Sequence, residues 1–469
     1  MIPMILLLAT RMLMFLAQPY ANEDAYITFR YAANLVAGHG LTFNPGQHVM
    51  GFTSPLWTVW SALGIAVHAD PVRWTQITSI VADACTLTLG VEVLAAAVSR
   101  QAAWAFAAFF AVWPLFAASA VSGLEMNVEL CLIVLSAVLA ERRSRWAGLT
   151  LGLLAISRPE GLLAAIVLSL RASVSARAVA IAIVGATAAA LMAYFHSVVP
   201  QSVLAKVSMY GMPGPWAGRH WWDWLVPFPL ARYPISSEGY QLLPLALVFT
   251  AALVQGVRQL WPARTGAVAL IGVSGLAGWL AYSALGVAYF WWYMTVPMAC
   301  LAWVAAAGFP EVVRGRLVPA MCALFLVGTW SMGFPLYLGR AQTEYTNFVS
   351  VARFLQTNAQ PEDVVLLEPI GMIGYQTRLP ILDEIGLVTP ETVRRRLAGA
   401  GWYADLIAEH RPTWLVTRAD LFESPAGFAG AGAPFRDRGE RESMLAHYQR
   451  LWPSSPITGI SMQVFRRRD

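Results

Sequence analysis

The chain is poor in charge, cysteine and lysine. Only 13% of its 469 residues are charged, against 57% apolar, with four cysteines and a single lysine beside 31 arginines. Soluble globular chains carry about 25% charged residues, so this scarcity excludes a conventional soluble enzyme, a disordered chain and a nucleic-acid-binding protein. Cys85, Cys131, Cys300 and Cys322 all fall in apolar stretches, where a cysteine acts as a small hydrophobe. The loops and tail hold none, which excludes a disulfide framework, a Cys-based metal site and thiol redox chemistry.

What charge there is sits unevenly. The 131 residues from Gly339 to Asp469 hold 15 arginines and 15 acidic side chains, whereas the preceding 338 hold 17 basic and 12 acidic ones. The net charge of +5 therefore lies wholly in the apolar part. This split predicts a membrane domain over 1–338 and a soluble domain over 339–469. A bilayer span needs about 20 mostly apolar residues. Eleven segments approach that, at 2–18, 74–98, 101–120, 124–140, 146–157, 160–170, 177–197, 240–257, 265–285, 288–308 and 317–338. Pro55–Val67 is apolar but short, and suits an interfacial or re-entrant helix.

With the N-terminus in the cytoplasm, the inside loops carry Arg100; Arg142, Arg143 and Arg145; Arg171 and Arg177; Arg258 and Arg264; and Arg314 and Arg316. Only Glu141 and Glu311 oppose them, so every inside loop is net basic, as the positive-inside rule requires. The long loops 19–74 and 198–239 and the whole tail are then outside. Met1–Thr10 lacks a basic anchor and Arg11 falls within the first span, which leaves room for a start further upstream; a cleaved signal peptide lacks both its basic region and its small-x-small site. In the tail, β-rich runs (Asp363–Leu367, Thr413–Thr417, Ile457–Phe465) alternate with helical ones (Glu344–Gln356, Pro390–Ala398, Tyr403–Glu409), predicting a small α/β domain. Pro425–Pro434 reads as a loop.

The first outer loop opens Asn22-Glu23-Asp24-Ala25-Tyr26-Ile27-Thr28-Phe29-Arg30-Tyr31. Asn22 is a good N-cap, Tyr26, Phe29, Arg30 and Ala33 share a helical face, and Gly38 can close the helix, predicting an amphipathic helix on the outer membrane surface. Glu23 and Asp24 at its N-terminus either complement the helix dipole or do chemistry. Adjacent helical residues diverge by about 100°, so at most one of them faces a given substrate atom. Further on, Ser54 can cap a short helix begun by Pro55. His39 and His48 lack partners at ligand spacing, so no metal site is predicted. Asp83, Glu92 and Glu129 lie within spans, where charge is costly and faces a cavity or a partner. Trp221-Trp222-Asp223-Trp224 and the aromatic run Tyr289–Tyr293 suit an interfacial belt.

Taken in order, Glu23-Asp24-Ala25-Tyr26-Ile27, Phe29-Arg30-Tyr31-Ala32, Gly38-His39-Gly40, Asn44-Pro45-Gly46 and Gly51-Phe52-Thr53-Ser54-Pro55-Leu56-Trp57 resemble the first periplasmic loop of bacterial GT-C membrane glycosyltransferases, especially arabinofuranosyltransferase-like members. The resemblance continues through Ser122-Gly123-Leu124-Glu125, Ser157-Arg158-Pro159-Glu160-Gly161, Pro200 with Ala205-Lys206, and in the tail Ile370-Gly371, Gly374-Tyr375, Leu382-Asp383 and Gly386-Leu387-Val388. It departs at Glu23, where the family pattern has a second aspartate, which leaves open which acid is catalytic.

The resemblance implies an α-helical polytopic membrane protein of GT-C type, with about 11 transmembrane helices and a C-terminal periplasmic α/β domain, in a bacterial plasma membrane. It implies transfer of a sugar, arabinofuranose first and a mannosyl or other hexosyl group second, from a polyprenyl-phosphate donor to a hydroxyl of a glycan or protein acceptor, with inversion and with no metal or other cofactor. A lipid-linked sugar transporter or flippase is the alternative from a different class; it would show internal repeats, and none is apparent. A sugar hydroxyl needs a carboxylate to take its proton; Asp24 is the first candidate and Glu23 the second. The leaving phosphate needs fixed cations or donors, for which Lys206 and Arg158 are candidates. Arg30, Tyr31, His39, Asn44, Ser54, Glu125 and Glu160 complete the candidate substrate-binding set.

Overall fold

The computed structural model describes residues 1–210, 243–264, 266–288, 290–313, 317–418, 421–422, 432–453 and 462–468. Trp221-Trp222-Asp223-Trp224 with most of the second long loop, Arg314, Arg316, the 425–431 part of the tail loop and residues 457–461 of the last predicted strand lie outside the described residues.

Helices lie on all the apolar segments. In chain order they are α1 (Ile2–Ala17), α2 (Glu23–Val36), α3 (Pro55–Ala66), α4 (Pro71–Ala97), α5 (Arg100–Val112), α6 (Pro114–Ala120), α7 (Met126–Glu141), α8 (Ala147–Ala155), α9 (Pro159–Ser169), α10 (Val174–Phe195), α11 (Gln201–Tyr210), α12 (Leu243–Leu260), α13 (Ala267–Ala284), α14 (Thr295–Val312) and α15 (Leu317–Asn358). Among the described residues four are long and apolar enough to cross a membrane: α4, α10, α13, and α14 with its leading 3-10 turn from Trp291. The pair α5 and α6 makes a fifth if counted as one span bent by 58°. Pro114 explains the bend: it lacks an N–H and holds Trp113 in extended backbone. Helix α15 runs unbroken past Gly339.

Charges inside this bundle are paired. Arg11 meets Asp83 at 2.8 Å with both side chains fully buried, Asn127 donates to Asp83 at 2.7 Å, and Arg11 also donates to the carbonyls of Ala111 and Phe110. A buried charge persists only when so compensated. Glu92 also has a partner, Arg142 at 2.8 Å, but that pair is exposed. Glu141 accepts from Arg171 at 2.9 Å and from the Ala267 N–H at 3.2 Å. The connections after α7, after α9 and before α13 therefore share one face. Glu125 stands at the other end of α7, whose 16 residues span about 24 Å.

The tail builds one five-stranded sheet from β1 (Val365–Leu367), β2 (Ile381–Asp383), β3 (Trp414–Arg418), β4 (Tyr448–Trp452) and β5 (Met462–Arg467), in the order β2-β1-β3-β5-β4. β1 is parallel to both β2 and β3, and β5 is antiparallel to β3 and β4. The short helices α16 (Gly371–Thr377), α17 (Pro390–Ala398) and α18 (Trp402–His410) join the parallel strands. Side chains alternate across a strand: Val365, Leu367, Trp414, Val416 and Val464 join the apolar core that continues into the helix bundle. Leu366, Leu415 and Phe465 face the other way, onto Trp402, Tyr403 and Leu406. The three residues of β2, the five of β4 and the seven of α16 carry too little pattern to be read from sequence.

Helix α2 corrects one expectation. Asn22 caps it, accepting from the Glu23 N–H at 2.8 Å, and Gly38 follows it in left-handed conformation at φ +81°. Yet every residue from Ala25 to Asn34 is buried. The helix is covered by α16 on one side and α3 on another, rather than lying open on a membrane surface.

Candidate active site

The motif residues of the first long loop and those of the tail are two halves of one contact, paired in sequence order. Glu23 Oε1 accepts from the N–H groups of Gly371 and, at 3.2 Å, Met372. Arg30 donates to the carbonyls of Gly374 and Leu379, both at 2.8 Å, as well as to Phe43 O and Asn44 Oδ1. Asn44 imitates a strand: its amide donates to Ile381 O at 2.7 Å and its oxygen accepts from Ile381 N–H at 3.0 Å. Gly51 closes the series, because a Cβ there would stand 2.6 Å from Val388 Cγ1 and 2.9 Å from the Tyr31 hydroxyl. Val388 is placed by Asp383, whose carboxylate accepts from the N–H groups of Ile385 and Val388.

This seam accounts for four of the sequence-predicted substrate residues in another way. Arg30 is 1% exposed with its donors spent on the protein. Tyr31 is fully buried, donating to Val49 O and accepting from Gly51 N–H. Asn44 is consumed by Ile381, and Ser54 caps α3 by accepting from Trp57 N–H at 3.3 Å. All four are buried and bonded within the protein, where they shape the loop. His39 is exposed beyond the far end of α2, about 20 Å along the helix from Asp24.

Asp24 faces the other way. Its Oδ2 lies 3.8 Å from Lys206 Nζ, with the two side chains 25% and 19% exposed. Lys206 donates to the Tyr293 hydroxyl at 3.2 Å and stands 5.5 Å and 5.8 Å from the ring centroids of Phe290 and Tyr293. Such aromatic faces hold a cation while leaving it able to donate. Tyr293 stacks on Tyr282 at 4.8 Å, and the Tyr282 hydroxyl receives a 3.4 Å hydrogen bond from Arg158. Arg158 gathers three acids: Glu125 at 2.7 Å, Glu129 at 3.5 Å, and Glu160 through Nε. Glu125 thus reaches Arg158 instead of capping α7. Asp24, Lys206, Tyr293, Tyr282 and Arg158 form one continuous wall, made by residues up to 269 positions apart in the chain.

Glu23 belongs to the sheet side. Burial, followed by the neighbouring carboxylates of Asp24 and Glu368, pushes its carboxyl well above the usual range, against the lowering effect of the Gly371 and Met372 N–H groups. Glu368 follows β1 and accepts from Arg418, the last residue of β3, at 2.7 Å. Glu384 follows β2, where burial and Glu368 raise it to about 8. The carboxyl ends of the three parallel strands therefore converge beside the N-terminus of α2. Sequence reasoning missed Tyr282, Glu368, Glu384 and Arg418; Tyr293 was visible only as part of an aromatic run. Elsewhere, Glu391, Glu409 and His410 lie close enough together to hold a metal ion, but Arg395 bridges both glutamates and His410 bonds to Glu391 at 2.8 Å. That group is a neutralised surface network.

Residues 336–459 match the profile of a family described as a domain of unknown function, DUF8728. No sequence among curated proteins matches the chain. Its structure is similar to ArnT from Cupriavidus metallidurans in the apo state, at TM-score 0.61 and 10% identity, over 98% of this chain and 97% of that one. The same ArnT bound to undecaprenyl phosphate aligns at TM-score 0.57 and 11% identity over the same shares. An Archaeoglobus fulgidus oligosaccharyltransferase, in complex with Zn and sulfate, aligns at TM-score 0.56 and 12% identity over 96% of this chain and 72% of that one. These are GT-C fold glycosyltransferases, and at such identities the likeness is one of fold.

Proposed function

We propose that the protein is a membrane glycosyltransferase that moves a sugar, arabinofuranose first among the candidates, from a polyprenyl-phosphate donor to a hydroxyl of a glycan or protein acceptor. The observation that carries the reading is the pairing of Asp24 with Lys206 at 3.8 Å, both partly open, in a chain of apolar helices with the fold of ArnT. The undecaprenyl phosphate bound to that neighbour supports a lipid phosphate as ligand here.

The chemistry then divides between the two side chains. The acceptor oxygen bonds to the anomeric carbon while the bond from that carbon to the phosphate oxygen breaks and its electron pair leaves with the phosphate. Asp24 takes the acceptor's proton, and Lys206, steadied by Tyr293 and Phe290, donates to the charge that develops on the phosphate. Attack from the face opposite the leaving phosphate inverts the anomeric centre. Arg158 backs the wall through Tyr282. In this reading the protein lies in a bacterial plasma membrane, residues 1–338 form the membrane domain of about 11 helices, and the 339–469 domain shares the periplasmic face with the site.

The test uses purified protein in lipid with a panel of undecaprenyl-phosphoryl sugars, arabinofuranose and mannose included, and follows release of undecaprenyl phosphate. Release from the arabinofuranosyl donor is the expected result. Release from a hexosyl donor alone changes the sugar but keeps the class. Movement of intact donor across vesicles without release assigns a transporter instead.

A further inference from the structure

We infer that Glu23 is a positioning residue for Asp24: the sheet, through the backbone of Gly371 and Met372, fixes the first turn of α2 and so aims the neighbouring carboxylate at the acceptor. The inference rests on the transferase reading with Asp24 as base, and it gives the acidic pair two different tasks.

Three independent features of the contact carry it. Glu23 puts one carboxylate oxygen, Oε1, on two successive N–H groups of α16, a use that needs an acceptor and no proton transfer. The approach is close enough that a Cβ on Gly371 would stand 2.2 Å from Glu23 O and 2.6 Å from its Oε1, so residue 371 is glycine for this contact. Finally, the first turn of α2 has no other tie to α16 among the described polar contacts; the next one is Arg30, which donates to Gly374 O and Leu379 O, about 10 Å along the axis. Loss of the Glu23 bond removes the polar tie between α16 and the turn that holds Asp24, leaving that turn to the Asn22 N–H on Ser122 O and to Tyr26 against Tyr375, while Arg30 keeps the rest of α2 docked.

Lys206 has holds of its own on the bundle, in Tyr293 and Phe290, besides its 3.8 Å approach to Asp24. The expected signature is therefore a loss in kcat without a matching loss of donor binding. A misplacement of about 1 Å in a reacting group can cost up to about a hundredfold in rate.

The experiment compares Glu23→Ala, Glu23→Gln, Gly371→Ala, the Glu23→Ala/Gly371→Ala double variant and Asp24→Asn in lipid, with the undecaprenyl-phosphoryl sugar that the wild type consumes. Glu23→Ala and Gly371→Ala are each expected to lower kcat about tenfold to a hundredfold with donor KM within about twofold, and the double variant to lose no more than the worse single one. Glu23→Gln keeps a carbonyl oxygen for both N–H groups and is expected to recover most of the lost kcat. Melting temperatures measured in parallel identify any variant that fails by unfolding, and the Glu23→Gln recovery then decides the matter. A fall in Glu23→Gln as deep as that of Asp24→Asn overturns the inference alone, because charge rather than position would be required. Full activity of Asp24→Asn, or a wild type inactive on every donor, overturns the transferase reading and this inference with it.

Discussion

The seam between the first long loop and the sheet differs from the wall beside it in how polar groups are used. Along the seam, Arg30, Tyr31 and Asn44 are buried and bonded to backbone; their partners are fixed by the fold, and nothing is left over for a ligand. Along the wall, Asp24 and Lys206 are partly open and meet at 3.8 Å, beyond hydrogen-bond length, and one guanidinium serves three carboxylates. Residues of similar type in one sequence motif thus do opposite work. A buried and satisfied polar group specifies structure, whereas an open or under-compensated one is available for chemistry.

Four substitutions bear on that contrast. Asp24→Asn removes the proposed base without altering shape, and a general-base loss of about a hundredfold to ten-thousandfold in kcat is expected with an unchanged melting temperature. Arg30→Met strips a buried hub of its hydrogen bonds and should cost about 2–4 kcal/mol of stability, read as a lower melting temperature and faster proteolysis between α2 and α3. If it lowered kcat alone, the seam would be part of the catalytic surface and the contrast would fail. Lys206→Met removes a charge-assisted donor worth about 1.5–3 kcal/mol, so kcat/KM for the donor should fall about tenfold to a hundredfold while stability holds.

The smallest effect concerns the sheet edge. Burial holds Glu384 neutral up to about 8, against an ordinary value of 4.5. Its contribution to stability is complete below 4.5, where the unfolded chain also keeps the proton, and declines as pH rises toward 8. Glu384→Gln should flatten the fall in melting temperature across that window; an unaltered slope would mean that the carboxyl is solvated.

The sequence disclosed the helical segments, the sheet-forming tail and the acidic pair, because apolar runs, charge placement and capping are local signals. Asp83 and Arg11 were each visible as a misplaced charge, yet their pairing across 72 residues was not. The same limit hid the seam. The order Glu23, Arg30, Asn44, Gly51 and the order Gly371, Gly374, Ile381, Val388 could be read separately, but only the fold lays one along the other. Arg30 looked like a substrate residue because sequence shows that a cation is present and not that backbone carbonyls consume it. Tyr282 gave no signal at all, since its role comes from touching Tyr293 and Arg158.

The measurement closest to the central claim is a structure of the protein in a lipid nanodisc with undecaprenyl phosphate. The account predicts the phosphate within about 3 Å of Lys206 Nζ, with the Asp24 carboxylate on the acceptor side and the Glu23 to Gly371 contact intact. A headgroup seated away from Lys206, or one that draws Glu23 off the sheet to meet it, would contradict the division of labour between the two acids.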